Sequence, residues 1–190
     1  MKDTLKNLTK DMWNIPNALT MARLVMIPVF AVLYFTGRPI AALAVFCAAS
    51  LTDLLDGFLA RRLNQITDFG KLFDPLADKL MVLTALVCHT VSGVFPWPAV
   101  AVVAAKELLM VAGGALLLKR DVVVYANLWG KAATCAFIAA LILGFFHAPL
   151  AQAGVPADRI ALWLAVALTL AALGRYAWQA WPKLFPRKPD

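Results

Sequence analysis

Apolar residues run through this chain in long unbroken stretches rather than in alternation. Six stretches stand out, at about residues 16–35, 39–63, 70–91, 97–118, 128–146 and 156–178. Each approaches the roughly 20 apolar residues that an α-helix needs to cross a bilayer. The breaks between them carry residues that stop helices: Gly37-Arg38-Pro39, Asn64 to Asp68, Gly93 to Pro98, Lys119 to Asp121, and Pro149 to Pro156. Continuous apolarity argues against a closed β-barrel, whose strands alternate. Ahead of the first stretch, Lys2, Lys6 and Lys10 recur every four residues, with Leu5, Leu8 and Met12 on the other side. That spacing predicts a short amphipathic helix lying on the membrane surface, with a solvated tail as the alternative. The pattern as a whole predicts an all-α membrane protein of one domain. It has a juxtamembrane helix over residues 1–13, a core of six transmembrane helices over 16–178, and a basic tail over 179–190.

Composition narrows this further. Of 190 residues, 62% are hydrophobic and 15% charged, whereas soluble domains are about half apolar and a quarter charged. An ordinary soluble domain and a disordered chain are both excluded. The net charge of +7 does not point to nucleic acid, because most basic residues flank apolar stretches. Six spans sort them sharply. Lys2, Lys6, Lys10, Arg61, Arg62, Lys71, Lys119, Arg120, Lys183, Arg187 and Lys188 fall on one side, and Arg38 and Arg159 on the other. The positive-inside rule then puts both termini in the cytoplasm. Residues 1–11 show no apolar core or cleavage site, so no signal peptide is expected. Cys47, Cys88 and Cys135 lie in apolar stretches without a CxxC spacing and read as small core residues. His89 and His147 fall near outer span ends and read as interfacial. Trp97, Trp178 and Trp181 read as belt residues.

The second and third stretches break the apolar rule together. They contain Asp53-x2-Asp56-Gly57-x2-Ala60-Arg61 and then Gly70-x3-Asp74-x3-Asp78. A charge at mid-helix in a bilayer costs at least about 2.5–3.5 kcal/mol on insertion scales, so such residues are functional by default. Asp53, Asp56, Gly57 and Ala60 share one helical stripe, and so do Asp74 and Asp78. A short turn makes the two helices antiparallel neighbours, with both stripes near their cytoplasmic ends. Four carboxylates so placed repel unless cations neutralise them. Oxygen ligands without His or Cys suit a hard cation, Mg²⁺ or Mn²⁺, and two such ions would balance four carboxylates. Gly57 and Ala60 let a ligand approach the backbone, or serve close helix packing. Arg61 meets a phosphate or flanks the span as a positive-inside residue. Metals beside small residues and an arginine suit phosphoryl chemistry, with one carboxylate kept as base for an attacking hydroxyl.

This motif, with every position filled, resembles the signature of the CDP-alcohol phosphotransferase family. The resemblance implies transfer of a substituted phosphate from a CDP-linked donor to an alcohol, with release of CMP. It implies that Asp53, Asp56 and Asp74 bind the metals, with Asp78 shared between metal binding and the role of general base. Gly57, Ala60 and Arg61 would line the cytidine and pyrophosphate site. It also implies a homodimer in a bacterial-type inner membrane, with the active site on the cytoplasmic side.

The choice of acceptor rests on further positions. Asn14-Ile-Pro-Asn17-x2-Thr20-x2-Arg23, Phe58-Leu-Ala-Arg-Arg62 and Asp74-Pro-Leu-Ala-Asp78-Lys79 are similar to the phosphatidylglycerophosphate synthase branch of that family. Asn17, Thr20 and Arg23 would then face the head group of CDP-diacylglycerol; helix capping and interfacial placement are their other roles. A lysine inside a membrane needs an anion. Lys106 and Lys131 are candidates for gripping the phosphate of glycerol 3-phosphate, although Glu107 offers Lys106 a partner and Lys131 can snorkel to the interface. The branch usually carries Arg where this chain has Lys106, Arg where it has Gly114, and Lys where it has Ala133. These departures leave fewer cations and weaken the case for a phosphorylated acceptor; on the motifs, glycerol 3-phosphate remains the expected acceptor, and phosphatidylglycerol, the acceptor of cardiolipin synthases, the alternative. A cation transporter would spread its acids over several helices at mid-membrane. An inactive scaffold would have no need of four buried charges.

Overall fold

The computed structural model describes residues 15–62, 68–118 and 128–184. Among them are seven helices and no strand: α1 (Ile15–Phe35), α2 (Pro39–Arg62), α3 (Asp68–Val91), α4 (Trp97–Leu118), α5 (Leu128–Gly144), α6 (His147–Gln152) and α7 (Ala157–Leu184). The surface helix expected over 1–13 and the end of the tail, 185–190, lie outside the described residues. Two differences from the expected elements stand out. Helix α7 continues to Leu184 instead of ending near Trp178: Tyr176 to Trp181 contain no Gly or Pro to stop it, and the helix runs through Pro182 before it ends. The short helix α6 occupies part of the expected loop between the fifth and sixth stretches.

Three helices end in the same way. Gly37, Gly93 and Gly154 have φ of 73°, 77° and 71°, a left-handed conformation that costs glycine nothing. In each case the next N–H reaches back five residues: Arg38 to the Leu33 carbonyl (3.1 Å), Val94 to His89 (2.9 Å) and Val155 to Leu150 (3.0 Å). This closure satisfies carbonyls that the helix end would otherwise strand in an apolar setting.

The chain divides into two compact units, up to Cys88 and from His89. In the first, α1 packs along α2, with Phe30 and Phe46 in contact at a ring separation of 6.1 Å. In the second, α7 packs against α5, α4 and α6. Both units invert the burial of a soluble protein. Ala42, Ala49, Ala77, Ala85, Ala99, Ala140 and Ala165 are fully buried, while Ile40, Val25, Leu108 and Ile160 are exposed by 60% or more. Small residues at helix contacts and large apolar ones outside are the arrangement that a lipid solvent favours.

Two helical stretches among the described residues, Asn17–Phe35 and Ala157–Gln179, are long and apolar enough to cross a membrane. Pro39–Thr52 and Trp129–Gly144 are apolar but shorter. Helix α2 loses its apolar run at Asp53, where the acidic motif begins.

Several side chains differ from their expected places. Cys88 is buried, but Cys47 and Cys135 are exposed; a thiol is apolar enough for a lipid-facing position as well as for a core. His89 is fully buried, stacked on Phe95 at 5.1 Å and against the edge of Phe145 at 4.8 Å. His147 Nδ1 lies 2.7 Å from Asp158 Oδ2, and Asp158 is buried in the first turn of α7. That contact ties the start of α6 to the start of α7, where a carboxylate also complements the helix dipole.

The His89 ring has its space because position 144 carries no side chain. A Cβ on Gly144 would lie 2.3 Å from His89 Cδ2 and 3.0 Å from Phe95 Cζ. Held between two aromatic rings, the imidazole cannot step aside. Gly144→Ala is expected to destabilise the protein by about 1–3 kcal/mol, the usual cost of overpacking. Thermal unfolding in detergent measures this, and His89→Ala in the same chain should recover part of the loss.

Candidate active site

The acidic motif lies on two helices. Asp53, Asp56, Gly57, Ala60 and Arg61 belong to the last three turns of α2, and Asp74 and Asp78 to the first half of α3. The side chains of Asp53, Asp56, Gly57, Ala60 and Arg61 lie outside the described residues. Asp74 and Asp78 are both half-buried and stand one helical turn apart, on one face.

Helix α1 presents a polar stripe to this region. Asn17, Thr20 and Arg23 recur every three residues and are all buried, exposed by 1% or less. Between them Met21 is exposed by 46%, so the helix turns its polar side inward and an apolar one outward. The Thr20 hydroxyl donates to Asp74 Oδ1. One turn further along, Arg23 Nε donates to the carbonyl oxygen of Ala49, at 3.3 Å. The same carbonyl accepts from Thr52 Oγ1 at 2.7 Å. Ala49 lies one turn before Asp53 in α2. Two residues of α1 therefore reach the two acid-bearing helices at neighbouring levels, Thr20 an aspartate of α3 and Arg23 the α2 backbone just ahead of the first aspartate. The sequence pattern puts Asn17, Thr20 and Arg23 at a membrane entrance facing a head group. The structure turns all three into the first unit, and their partners include a backbone carbonyl that no side-chain motif can reveal.

The donor set fits a hard divalent cation. Asp74 and Asp78 offer oxygen only, and no histidine or thiol competes at their level on α3. Among the described residues no three metal-ligating side chains come together, and Asp53 and Asp56 are outside that set.

The two lysines belong to the second unit. Lys106, half-buried on α4, pairs with the carboxylate of its neighbour Glu107. Lys131, in the first turn of α5, is exposed. Three residues on, Thr134 returns its hydroxyl to the Gly130 carbonyl at 3.2 Å.

Comparison with known proteins places this arrangement. A relative from Bacillus subtilis (strain 168), named CDP-diacylglycerol--glycerol-3-phosphate 3-phosphatidyltransferase, is 36% identical over 189 residues, which cover 91% of this chain and 98% of the relative. Proteins of the same name from Escherichia coli (strain K12) and Shigella boydii serotype 4 (strain Sb227) are 48% identical over 81 residues, covering 41% of this chain and 44% of theirs. The sequence profile for CDP-alcohol phosphatidyltransferases matches residues 13–171, a span that holds α1, both acid-bearing helices and both lysines, and the chain belongs to that family.

Proposed function

We propose that this chain is a membrane enzyme that transfers the phosphatidyl group of CDP-diacylglycerol to sn-glycerol 3-phosphate, forming phosphatidylglycerophosphate and releasing CMP. The observation that carries the reading is the pair of contacts from α1, which bring Asp74 and the helix of Asp53 and Asp56 to one place in the first unit. The acceptor is supported by the name of the Bacillus subtilis relative, which matches this chain over nearly its whole length.

The roles follow from chemistry and position. Asp53, Asp56, Asp74 and Asp78 hold the divalent cations, two Mg²⁺ or Mn²⁺ ions by charge balance. When bound, these ions supply positive charge to the pyrophosphate and to the leaving phosphate. Gly57 and Ala60 give the donor close access to the α2 backbone, and Arg61 offers a planar fork to a phosphate. Asn17, Thr20 and Arg23 serve the head-group side of the donor site, Thr20 and Arg23 through the helices they hold. The free hydroxyl of the acceptor attacks the phosphorus that bears diacylglycerol, Asp78 takes its proton, and the bond to CMP breaks. Lys131, exposed at the start of α5, takes the acceptor's phosphate. Lys106 is the second candidate for that task, although its pairing with Glu107 leaves phosphatidylglycerol as the alternative acceptor.

Around this site the proposal sets one domain with six transmembrane helices. Four of the spans are supported by the positions of α2, α3, α4 and α5 on the six apolar stretches. Both termini and the site face the cytoplasm, on the strength of the charge sorting, and the protein acts as a homodimer, as the family resemblance implies. Single cysteines at Lys6, Asn64, Lys119 and Lys188 should react with an impermeant maleimide only from the cytoplasmic side, and those at Arg38 and Gln152 only from outside. Labelling of the Asn64 position from outside would overturn the topology.

An acceptor panel tests the reaction. Purified protein given CDP-diacylglycerol should release CMP with glycerol 3-phosphate, and much less with phosphatidylglycerol, inositol phosphate or serine. Chelation should abolish turnover and Mg²⁺ restore it. Lys131→Ala should raise the KM for the acceptor about tenfold to a hundredfold, since a hydrogen bond to a charged group is worth about 1.5–3 kcal/mol, and leave that for the donor nearly unchanged. Asp78→Asn should instead lower kcat. CMP release that survives chelation would refute the metal assignment.

A further inference from the structure

We propose that Thr20 is a positioning residue for Asp74, holding one carboxylate oxygen so that the other is presented to a divalent cation in a fixed direction. The inference rests on the reading of Asp74 as a metal ligand and adds a role that the acidic motif does not contain. Thr20 is fully buried, so its hydroxyl is not open to a head group arriving from the surface. That hydroxyl donates across the helix interface to Asp74 Oδ1. An O–H donor to a carboxylate makes a charge-assisted bond, shorter and stronger than a neutral one. The carboxyl plane of an aspartate turns easily about its last torsion, and a bond to one oxygen removes that freedom.

Thr20 is itself held. As a β-branched residue in a helix it has few side-chain rotamers. One turn away, the buried Arg23 fastens α1 to the Ala49 carbonyl of α2, so the hydroxyl cannot follow Asp74 if the carboxylate swings. The geometry is that of an outer partner orienting a ligand. Loss of such a partner typically costs about 10–100-fold in metal affinity or activity.

The test measures Mn²⁺ binding to purified protein by electron paramagnetic resonance, without either substrate. Thr20→Val keeps shape and burial but removes the donor, and Thr20→Ser keeps the donor. Thr20→Ala repeats the loss should the valine variant fail to fold, with thermal unfolding as the control. Mn²⁺ binding is expected to weaken about 10–100-fold in Thr20→Val and to recover in Thr20→Ser. The Mg²⁺ concentration for half-maximal CMP release should rise in parallel. Asp74→Asn separates the two levels of the argument. If it weakens Mn²⁺ binding while Thr20→Val binds as wild type does, the role of Thr20 is refuted and that of Asp74 stands. If Asp74→Asn binds Mn²⁺ normally, the metal reading falls and the role of Thr20 with it. A raised donor KM in Thr20→Val with unchanged Mn²⁺ binding would make the hydroxyl a donor contact and overturn the proposal.

Discussion

The constraint on which the proposed site depends is a set of four aspartates in two largely apolar helices. Hydrocarbon cannot solvate them, and bringing them together adds repulsion to the cost of burial. The protein's own answer is visible at Asp74, whose carboxylate accepts a hydroxyl from a neighbouring helix. Such a bond satisfies a lone pair but leaves the negative charge in place. Cations remove the charge, and the all-oxygen donor set suits the hard cations that phosphoryl transfer employs. The small residues of the motif belong to the same logic. In the proposed site a donor pyrophosphate must approach the helix closely to share those cations, a demand that residues as small as Gly57 and Ala60 would meet.

Helix α1 carries the consequences outward. Its inner side is polar and buried, its outer side apolar and exposed, and it engages both acid-bearing helices. The buried Arg23 adds a positive charge to this unit, satisfied in part by a backbone carbonyl that also accepts from Thr52. A carbonyl one turn ahead of Asp53 thus joins three features: the α1 contact, the local conformation of α2 and the start of the acidic motif. A phosphatidyltransferase must hold ligands on separate helices at fixed relative positions, and a third helix bonded to both does so without adding bulk at the reacting face.

Much of the fold was legible in the pattern of apolar stretches. Each stretch has a helix on it, and α1 to α4 begin and end within two residues of the expected bounds, because Gly37, Pro39, Gly93 and Pro98 stop and start helices by backbone geometry alone. What escaped was set by tertiary contact. Helix α6 is too short to show a period, and it is docked by a His147–Asp158 contact between residues eleven apart. His89 near a span end looks interfacial until Phe95 and Phe145 enclose it. The site divides in the same way. The aspartates could be singled out because charge in an apolar run is anomalous. The spacing of Asn17, Thr20 and Arg23 reveals a shared face, but the contacts of Thr20 with Asp74 and of Arg23 with the Ala49 carbonyl come from packing that spacing does not show. Lys106 leaves two partners open in the sequence, an acceptor phosphate and its neighbour Glu107, and the structure pairs it with Glu107.

The central claim is that the aspartates of the motif are ligands of a hard metal ion, and exchanging the ligand atom tests it most directly. Asp74→Cys replaces a carboxylate oxygen by a thiolate, which prefers soft cations. The account predicts that this variant loses CMP release with Mg²⁺ and regains a measurable part of it with Cd²⁺, while wild type keeps its preference for Mg²⁺ or Mn²⁺. Turnover by Asp74→Cys that remains normal in Mg²⁺ and indifferent to Cd²⁺ would contradict it.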